Sequence, residues 1–288
     1  MKICAGIVSY NPAMELLLDN INAILPQVDH VVIIDNGSKN VSDINELENF
    51  APNLKVIYNH NNVGIAKALN QIGNEAKILG CDWFLTLDQD SICPSDIIYQ
   101  YKCCVEQLNS DSIGMLCPYI KLRVLADEDG TQGEKYDVVN VAISSGSLVR
   151  AKAWESVGGF WDFLFIDKVD DDFCMSLREK GWCIIRVNNI ILEHEIGHPK
   201  KHHLLFFSFY TDSYPDFRYY YIARNTVIVY KLHYNHNYSI FKIILIKVLK
   251  IILGEKSKLS KLSAFLNGIV DGYKLLRSGI VRNYCLLG

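Results

Sequence analysis

The segment Phe84-Leu85-Thr86-Leu87-Asp88-Gln89-Asp90-Ser91 ends an apolar, β-branched run in two carboxylates one residue apart, and Cys93-Pro94 then turns the chain. Side chains at i and i+2 of an extended chain point the same way, so Asp88 and Asp90 form a hard, oxygen-rich pair. Such a pair suits Mg2+ or Mn2+ and, through the metal, a diphosphate. At the carboxyl end of a strand in an open α/β sheet it lies where ligands bind. The tripeptide is common, and an acidic turn without a ligand reads the same way.

Further candidates stand elsewhere in the chain. Asp170-Asp171-Asp172 falls at a helix start, where a carboxylate serves as a general base or as a cap. Asp35, at the end of Ile33-Ile34-Asp35-Asn36-Gly37-Ser38, is placed to accept hydrogen bonds from a base or ribose. Asn62-Val63-Gly64 opens a helix whose small residues permit close backbone approach. Arg218 and Arg224 lie in an aromatic segment. His198, His202 and His203 lie beside Lys200 and Lys201 and read as a solvated basic loop.

The elements that must position these residues alternate. Strands are expected at Ile3–Ser9, His30–Asp35, Leu54–Tyr58, Trp83–Leu87 and Ile113–Cys117, with helices near Met14–Leu25, Ser42–Phe50, Gly64–Leu79 and Ser95–Leu108. Strands spaced by helices mean βαβ units and a mainly parallel sheet. Residues 119–165 change character: an acidic, glycine-containing loop, then Ser144-Ser145-Gly146-Ser147 between short β-like runs. This stretch reads as an acceptor half of the same domain. The expected organisation is one domain over 1–236, with halves 1–118 and 119–236, and a tail over 237–288.

Half of the 288 residues are apolar and 21% are charged, enough for a substantial core. A net charge of −3 argues against a general nucleic-acid binder. Nine scattered cysteines without a C-x-x-C pair favour a reducing cytosol over a disulfide framework. Met1–Val8 reads as a first strand and not as a signal peptide, because Tyr10-Asn11-Pro12 ends it early. In the tail, Ile240–Leu253 is apolar except for Lys242, Lys247 and Lys250, which fall within about 140° of a helix. The run is too short to span a bilayer. A basic amphipathic tail reads as an anchor to an anionic membrane surface, or as a packed helical pair with a solvated basic face.

Taken in order, these landmarks resemble the family 2 inverting glycosyltransferases of the GT-A fold, and within them a bacterial rhamnosyltransferase-like branch. They are Ser9-Tyr10-Asn11-Pro12, Asp35-Asn36-Gly37-Ser38, Asn62-Val63-Gly64, Leu87-Asp88-Gln89-Asp90-Ser91, Ser144-Ser145-Gly146, Ile166–Cys174 and Arg224-Asn225, spread over about residues 3–230. The resemblance implies a Rossmann-like, mainly parallel sheet flanked by helices. It implies Mg2+ or Mn2+ at Asp88, Asp90 and His194. The nucleotide sugar would meet Ser9, Tyr10, Asn11, Asp35, Asn62, Gly64, Lys67, Asp88, Gln89 and Arg224, and the acceptor would meet Ser145, Gly146 and Asp172. Asp170 would be the base, although the triple acid by itself leaves Asp171 and Asp172 open.

The Asp-Gln-Asp-Ser form points to L-rhamnose from dTDP-L-rhamnose, with a UDP-hexose or UDP-galactofuranose as the alternative donor. The implied acceptor is a lipid-linked glycan of O-antigen or capsule type, met at the cytoplasmic face of the cell membrane. Two departures from the family pattern stand out. Asp172 replaces the usual glutamate, and Ser176 stands where an arginine is expected, with Arg178 nearby. A haloacid-dehalogenase-like phosphatase, with Asp88 as nucleophile, begins with its motif, whereas here three strand–helix units precede it. The intact acids argue against an inactive scaffold.

Overall fold

The computed structural model describes residues 1–122, 134–194, 200–204, 207–211, 213–234 and 240–280. Every residue of β1 (Ile3–Ser9) is buried, as suits a strand covered on both faces of a parallel sheet. It lies between β2 (His30–Asp35) and β4 (Trp83–Asp88), both parallel to it, and β3 (Leu54–Tyr58) extends the parallel run beyond β2. The crossovers carry α1 (Met14–Ile24), α2 (Val41–Asn45), α3 (Ile65–Ile78) and α4 (Ile97–Leu108). The helix expected over Ser42–Phe50 is shorter: α2 gives way to a 3-10 turn at Glu46–Asn49.

Then come β5 (Ile113–Leu122), β6 (Tyr136–Val138), β7 (Ser147–Arg150), α5 (Ala151–Ser156), α6 (Val169–Glu179) and β8 (Cys183–His194). The eight-stranded order is β3-β2-β1-β4-β7-β5-β8-β6, with β7 antiparallel to both neighbours and β6 antiparallel to β8. β7 therefore joins the two expected halves of the domain into one sheet. β5 outruns its expected end at Cys117 because it pairs in parallel with β8 as far as Leu122 and His194. One face of the sheet packs Val8 and Phe84 against α3 and α6 through Ile72, Phe173 and Leu177. The other packs Ile7 and Leu85 against α1 and α4 through Leu17, Ile21 and Tyr101.

A hairpin of β9 (Lys200–Leu204) and β10 (Phe207–Thr211) leads to α7 (Asp216–His233), α8 (Ile240–Gly254) and α9 (Lys258–Arg277). α9 lies so close to α7 that a Cβ at Gly268 would come 2.3 Å from the Tyr220 carbonyl oxygen, and one at Gly272 would come 2.9 Å from Val227. Glu255, between α8 and α9, is buried and accepts hydrogen bonds from Tyr219 (2.7 Å), Lys261 (2.6 Å) and the Ser213 N–H (3.0 Å). The tail is thus docked on α7. Its lysines do not share one solvated face as the spacing suggests. Lys261 is consumed by Glu255, and Lys247 turns inward to a cavity. Outward, α8 presents Phe241, Leu245, Ile246, Leu249, Ile252 and Leu253, all exposed. Among the described residues no helix is long and apolar enough to cross a membrane.

Candidate active site

β4 delivers the acidic motif. Five buried residues, Trp83 to Leu87, hold the strand in the core, and the exposed turn starts at its last residue, Asp88. The Asn20 side chain donates to the Asp88 carbonyl (2.7 Å) from α1, and the Ser91 N–H donates to the same oxygen (3.2 Å). The turn, and not strand alternation, therefore places Asp90. Gln89 Oε1 accepts the Tyr10 N–H (2.8 Å), tying this turn to the end of β1.

Two cavities adjoin at Asp88. The first, about 560 Å³, is lined by Asp88, Ser144, Ser145, Asp167, Lys168, Asp170, Asp171, Arg218 and Lys247 among others. The second, about 490 Å³, includes Tyr10, Asn36, Asn62, Gly64, Gln89, Asp90 and Phe165. Asp88, Ile65, Ile166, Tyr214 and Arg218 border both. The Asn36 and Asn62 amides form a small network here: Asn36 Oδ1 accepts the Val63 N–H (3.0 Å), and Asn62 Oδ1 accepts the Gly64 N–H (2.9 Å).

Asp170 opens α6 from the wall of the first cavity. It accepts hydrogen bonds from the Ser144 hydroxyl and backbone N–H. Burial, reinforced by the nearby charges of Asp88 and Asp171, pushes its carboxyl up to about 7 against the pull of Ser144. A carboxylate near neutrality is matched to removing a proton from an alcohol as it reacts. Its neighbours are neutralised in pairs: Lys168 holds Asp171 (3.0 Å), and Arg218 holds Asp167 (3.1 Å). Burial nevertheless raises the Asp167 carboxyl, despite Arg218.

The segment leading into α6 is clamped from α7. One amide, Asn225 Nδ2, donates to the carbonyls of Leu164 (2.8 Å), Ile166 (2.7 Å) and Asp167 (2.9 Å). Arg224 donates to the carbonyls of Phe163 (2.8 Å) and Leu164 (3.2 Å), with its guanidinium over the Phe163 and Tyr221 rings. On the other side, Phe165 accepts the Ile65 N–H (2.7 Å) over Gly64, where φ is +86° and a Cβ would come 2.5 Å from the Phe165 ring. Only glycine admits that approach.

The expected site residues divide accordingly. Tyr10, Asn62, Gly64, Asp88, Gln89 and Asp90 converge on the second cavity, and Asp88, Ser145 and Asp170 on the first. Others do not line either cavity. Arg224, expected at the diphosphate, is buried and spent on bracing the chain. Asp172, expected at the acceptor, is fully buried and binds His233 Nε2 (2.9 Å), whose Nδ1 meets Glu179 (2.7 Å). Two positions along a helix turn a side chain by about 200°, so Asp172 faces away from Asp170. The same rotation from Ile65 leaves Lys67 on the exposed side of α3.

Gly146 serves the chain itself, with φ +76° and its carbonyl accepting the Tyr101 hydroxyl (2.6 Å). Ser9 and Asp35 are buried; Asp35 Oδ2 accepts the Ser38 N–H (3.2 Å) and stabilises the turn after β2. Asn11, at φ +48°, accepts the Lys39 N–H (2.8 Å). The side chain of His194 lies outside the described residues, as does all of His198. Sequence reasoning gives no site role to Lys247, Ser144 or Asp167, and names Arg218 only alongside Arg224. A signal for Arg218 existed: it stands four residues before Ile222, which also faces the cavity, whereas Arg224 is on another side of α7.

Asp88 and Asp90 fit a divalent cation of the Mg2+ type, which takes one or two carboxylates and leaves other positions to substrate phosphates and water. Among the described residues no three His, Cys, Asp or Glu side chains cluster as a self-sufficient metal site.

A cleft at the carboxyl end of a Rossmann-like sheet, lined by paired acids and adjoining a cavity with a buried carboxyl, has the parts that sugar transfer needs. Residues 4–114 match the model described as Glycosyl transferase family 2, so the chain carries a domain of that family and is a glycosyltransferase. Over 298 residues it is 27% identical to the dTDP-rhamnosyl transferase RfbF of Shigella flexneri, covering 96% of this chain and 97% of that one.

Its fold is shared with GalNAc-T7, solved with UDP, GalNAc and Mn2+, at TM-score 0.63 and 13% identity over 99% of this chain and 58% of that chain. It is shared too with S. aureus TarS 1-349 in complex with UDP-GlcNAc, at TM-score 0.61 and 14% identity over 95% and 81%. These likenesses establish the GT-A architecture, a large central sheet flanked by helices.

Proposed function

We propose that this glycosyltransferase moves L-rhamnose, with inversion, from dTDP-L-rhamnose to a hydroxyl of a lipid-linked glycan during bacterial surface-polysaccharide synthesis of O-antigen or capsule type. The observation that carries the reading is the pair of cavities meeting at Asp88, with Asp170 in the wall of the first. The nucleoside diphosphate occupies the second cavity, against Tyr10, Asn62, Gly64 and Gln89, with its sugar reaching across Asp88. Asp170, held by Ser144, takes the proton of the acceptor hydroxyl as that oxygen attacks the anomeric carbon. Arg218 borders both cavities and balances diphosphate charge, in the role expected of Arg224. Mg2+ or Mn2+ bound at Asp88 and Asp90 would neutralise charge on the departing diphosphate. The donor assignment is supported by the end-to-end similarity to a dTDP-rhamnosyl transferase. The UDP complexes of the structural neighbours favour a UDP-sugar as the second reading.

A location at the cytoplasmic face of the cell membrane is supported by the exposed apolar side of α8, with Lys242 set among its leucines and isoleucines. Lys247, on the inner side of the same helix, brings the docked surface next to the acceptor cavity. The domain halves follow the chemistry: 1–118 holds the nucleotide and 119–236 the acceptor, with the tail from 237 onward as the docking element.

A thermal-shift panel of nucleotide sugars with and without Mn2+ tests donor and metal together. Stabilisation by dTDP-L-rhamnose that depends on Mn2+ is expected. Stabilisation by UDP-hexoses alone would replace the donor assignment.

A further inference from the structure

The segment between β6 and β7 runs along α6 and is fixed to it at alternate residues. Ala142 exchanges backbone contacts with Cys174 Sγ (3.4 and 3.5 Å), and Ser144 donates to Asp170. Residues 170 and 174 share one face of the helix. Ile143, between the two tethers, borders the catalytic cavity and also a separate cavity of about 360 Å³ on its other side. That cavity is lined by Pro118, Tyr119, Val139, Val141 and Arg186.

Arg186 is a prepared donor. Its guanidinium lies over the Tyr119 ring (5.5 Å to the centroid), its Nε donates to Asn188 (2.8 Å), and its Nη2 donates to Asp137 (2.6 Å). Among the described residues Nη1 has no protein acceptor, and the Tyr119 hydroxyl has no partner. Apolar walls with an aromatic ring and a fixed planar donor match a pyranose, which pairs an apolar C–H face with a rim of hydroxyls. The charge of Arg186 is already balanced by Asp137, so the cavity does not demand an anion.

We infer that this cavity is a second acceptor subsite, which binds the sugar next to the one whose hydroxyl faces Asp170. The inference rests on the proposed transfer to a glycan and goes beyond it: the enzyme recognises at least two linked sugars of its acceptor. Because Ile143 belongs to both cavities and its neighbours are tethered to α6, occupancy of the second subsite holds the first sugar against the base.

Saturation-transfer NMR on the full chain, with a panel of methyl hexopyranosides and their disaccharides, tests this. In the wild type the best disaccharide is expected to bind roughly tenfold more tightly than its monosaccharide, about 1.4 kcal/mol. Tyr119→Ala removes the ring platform, and Val141→Trp, at the 39% exposed rim, fills the cavity. In both variants the disaccharide-to-monosaccharide ratio should fall close to one. The inference is overturned if no disaccharide in the panel outbinds its monosaccharide in the wild type, or if the ratio survives both variants. A donor-induced thermal shift measured alongside reports on the nucleotide side, so failure of the donor assignment is read separately.

Discussion

Asp170, the proposed base, is set apart because burial and two neighbouring carboxylates make its ionised form expensive. In the metal-free protein its folded-state pKa of about 7 lies above the value of about 3.9 of an unfolded aspartate. The linkage sign follows. Stability from the protonated carboxyl is fully present below about pH 4 and is lost as pH rises through about 7. Asp170→Asn should therefore melt progressively higher than wild type between pH 4 and 7, with the gap levelling off above. Melting curves across that range, in chelator, check it. The same variant should lose turnover while binding donor within a few fold, because the amide cannot take a proton. If it kept turnover, the base would be elsewhere among the acids of α6. At the other pair, Asp90→Ala is expected to remove most of the Mn2+ dependence of donor binding, measured as the difference between thermal shifts with and without the ion.

At the scale of elements, α7 acts as a frame for the loop that leads to the proposed base. The three carbonyls held by Asn225 would each lose a buried hydrogen bond in Asn225→Ala. A cost of about 2–3 kcal/mol is expected. The effect on kcat should exceed that on donor affinity, since the loop leads directly to Asp170, whereas only Phe165 and Ile166 of it border the second cavity. Denaturant melts and steady-state kinetics on one preparation separate the two. His233 extends the frame to the inner side of α6. Burial alone would lower its pKa, but Asp172 and Glu179 together raise it, and the ring ties α6 to α7 through its hydrogen bond to Asp172. α9 in turn seats α7 through Gly268 and Gly272. A larger side chain such as Gly268→Val has the Tyr220 backbone in its way and should destabilise the whole C-terminal unit.

Over the whole molecule, the tail presents two different faces of one helix. α8 sends Lys247 to the cavity that Asp170 lines and shows six large apolar side chains to the outside. Leu245→Ser with Leu249→Ser should reduce co-sedimentation with anionic vesicles severalfold while leaving the melting temperature within a few degrees, since both residues are exposed. Unchanged co-sedimentation would leave that face without a bilayer partner. The parallel half of the sheet and the acidic turn were legible from the residues because they depend on local signals. Buried β-branched runs form strands, and a carboxylate pair ends β4 whatever packs around it. Asp170 was legible only as one of three acids, and the helical rotation that sends Asp172 to His233 becomes decisive only once α7 is in place. Arg224 and Arg218 have the same charge and similar neighbours in the chain, so sequence alone does not tell which one borders the cavities. Which arginine lines them and which is spent on carbonyls depends on how α7 lies across the loop at 163–167. Long-range packing makes that choice, as it does for Lys247, whose cavity is assembled from segments more than a hundred residues apart.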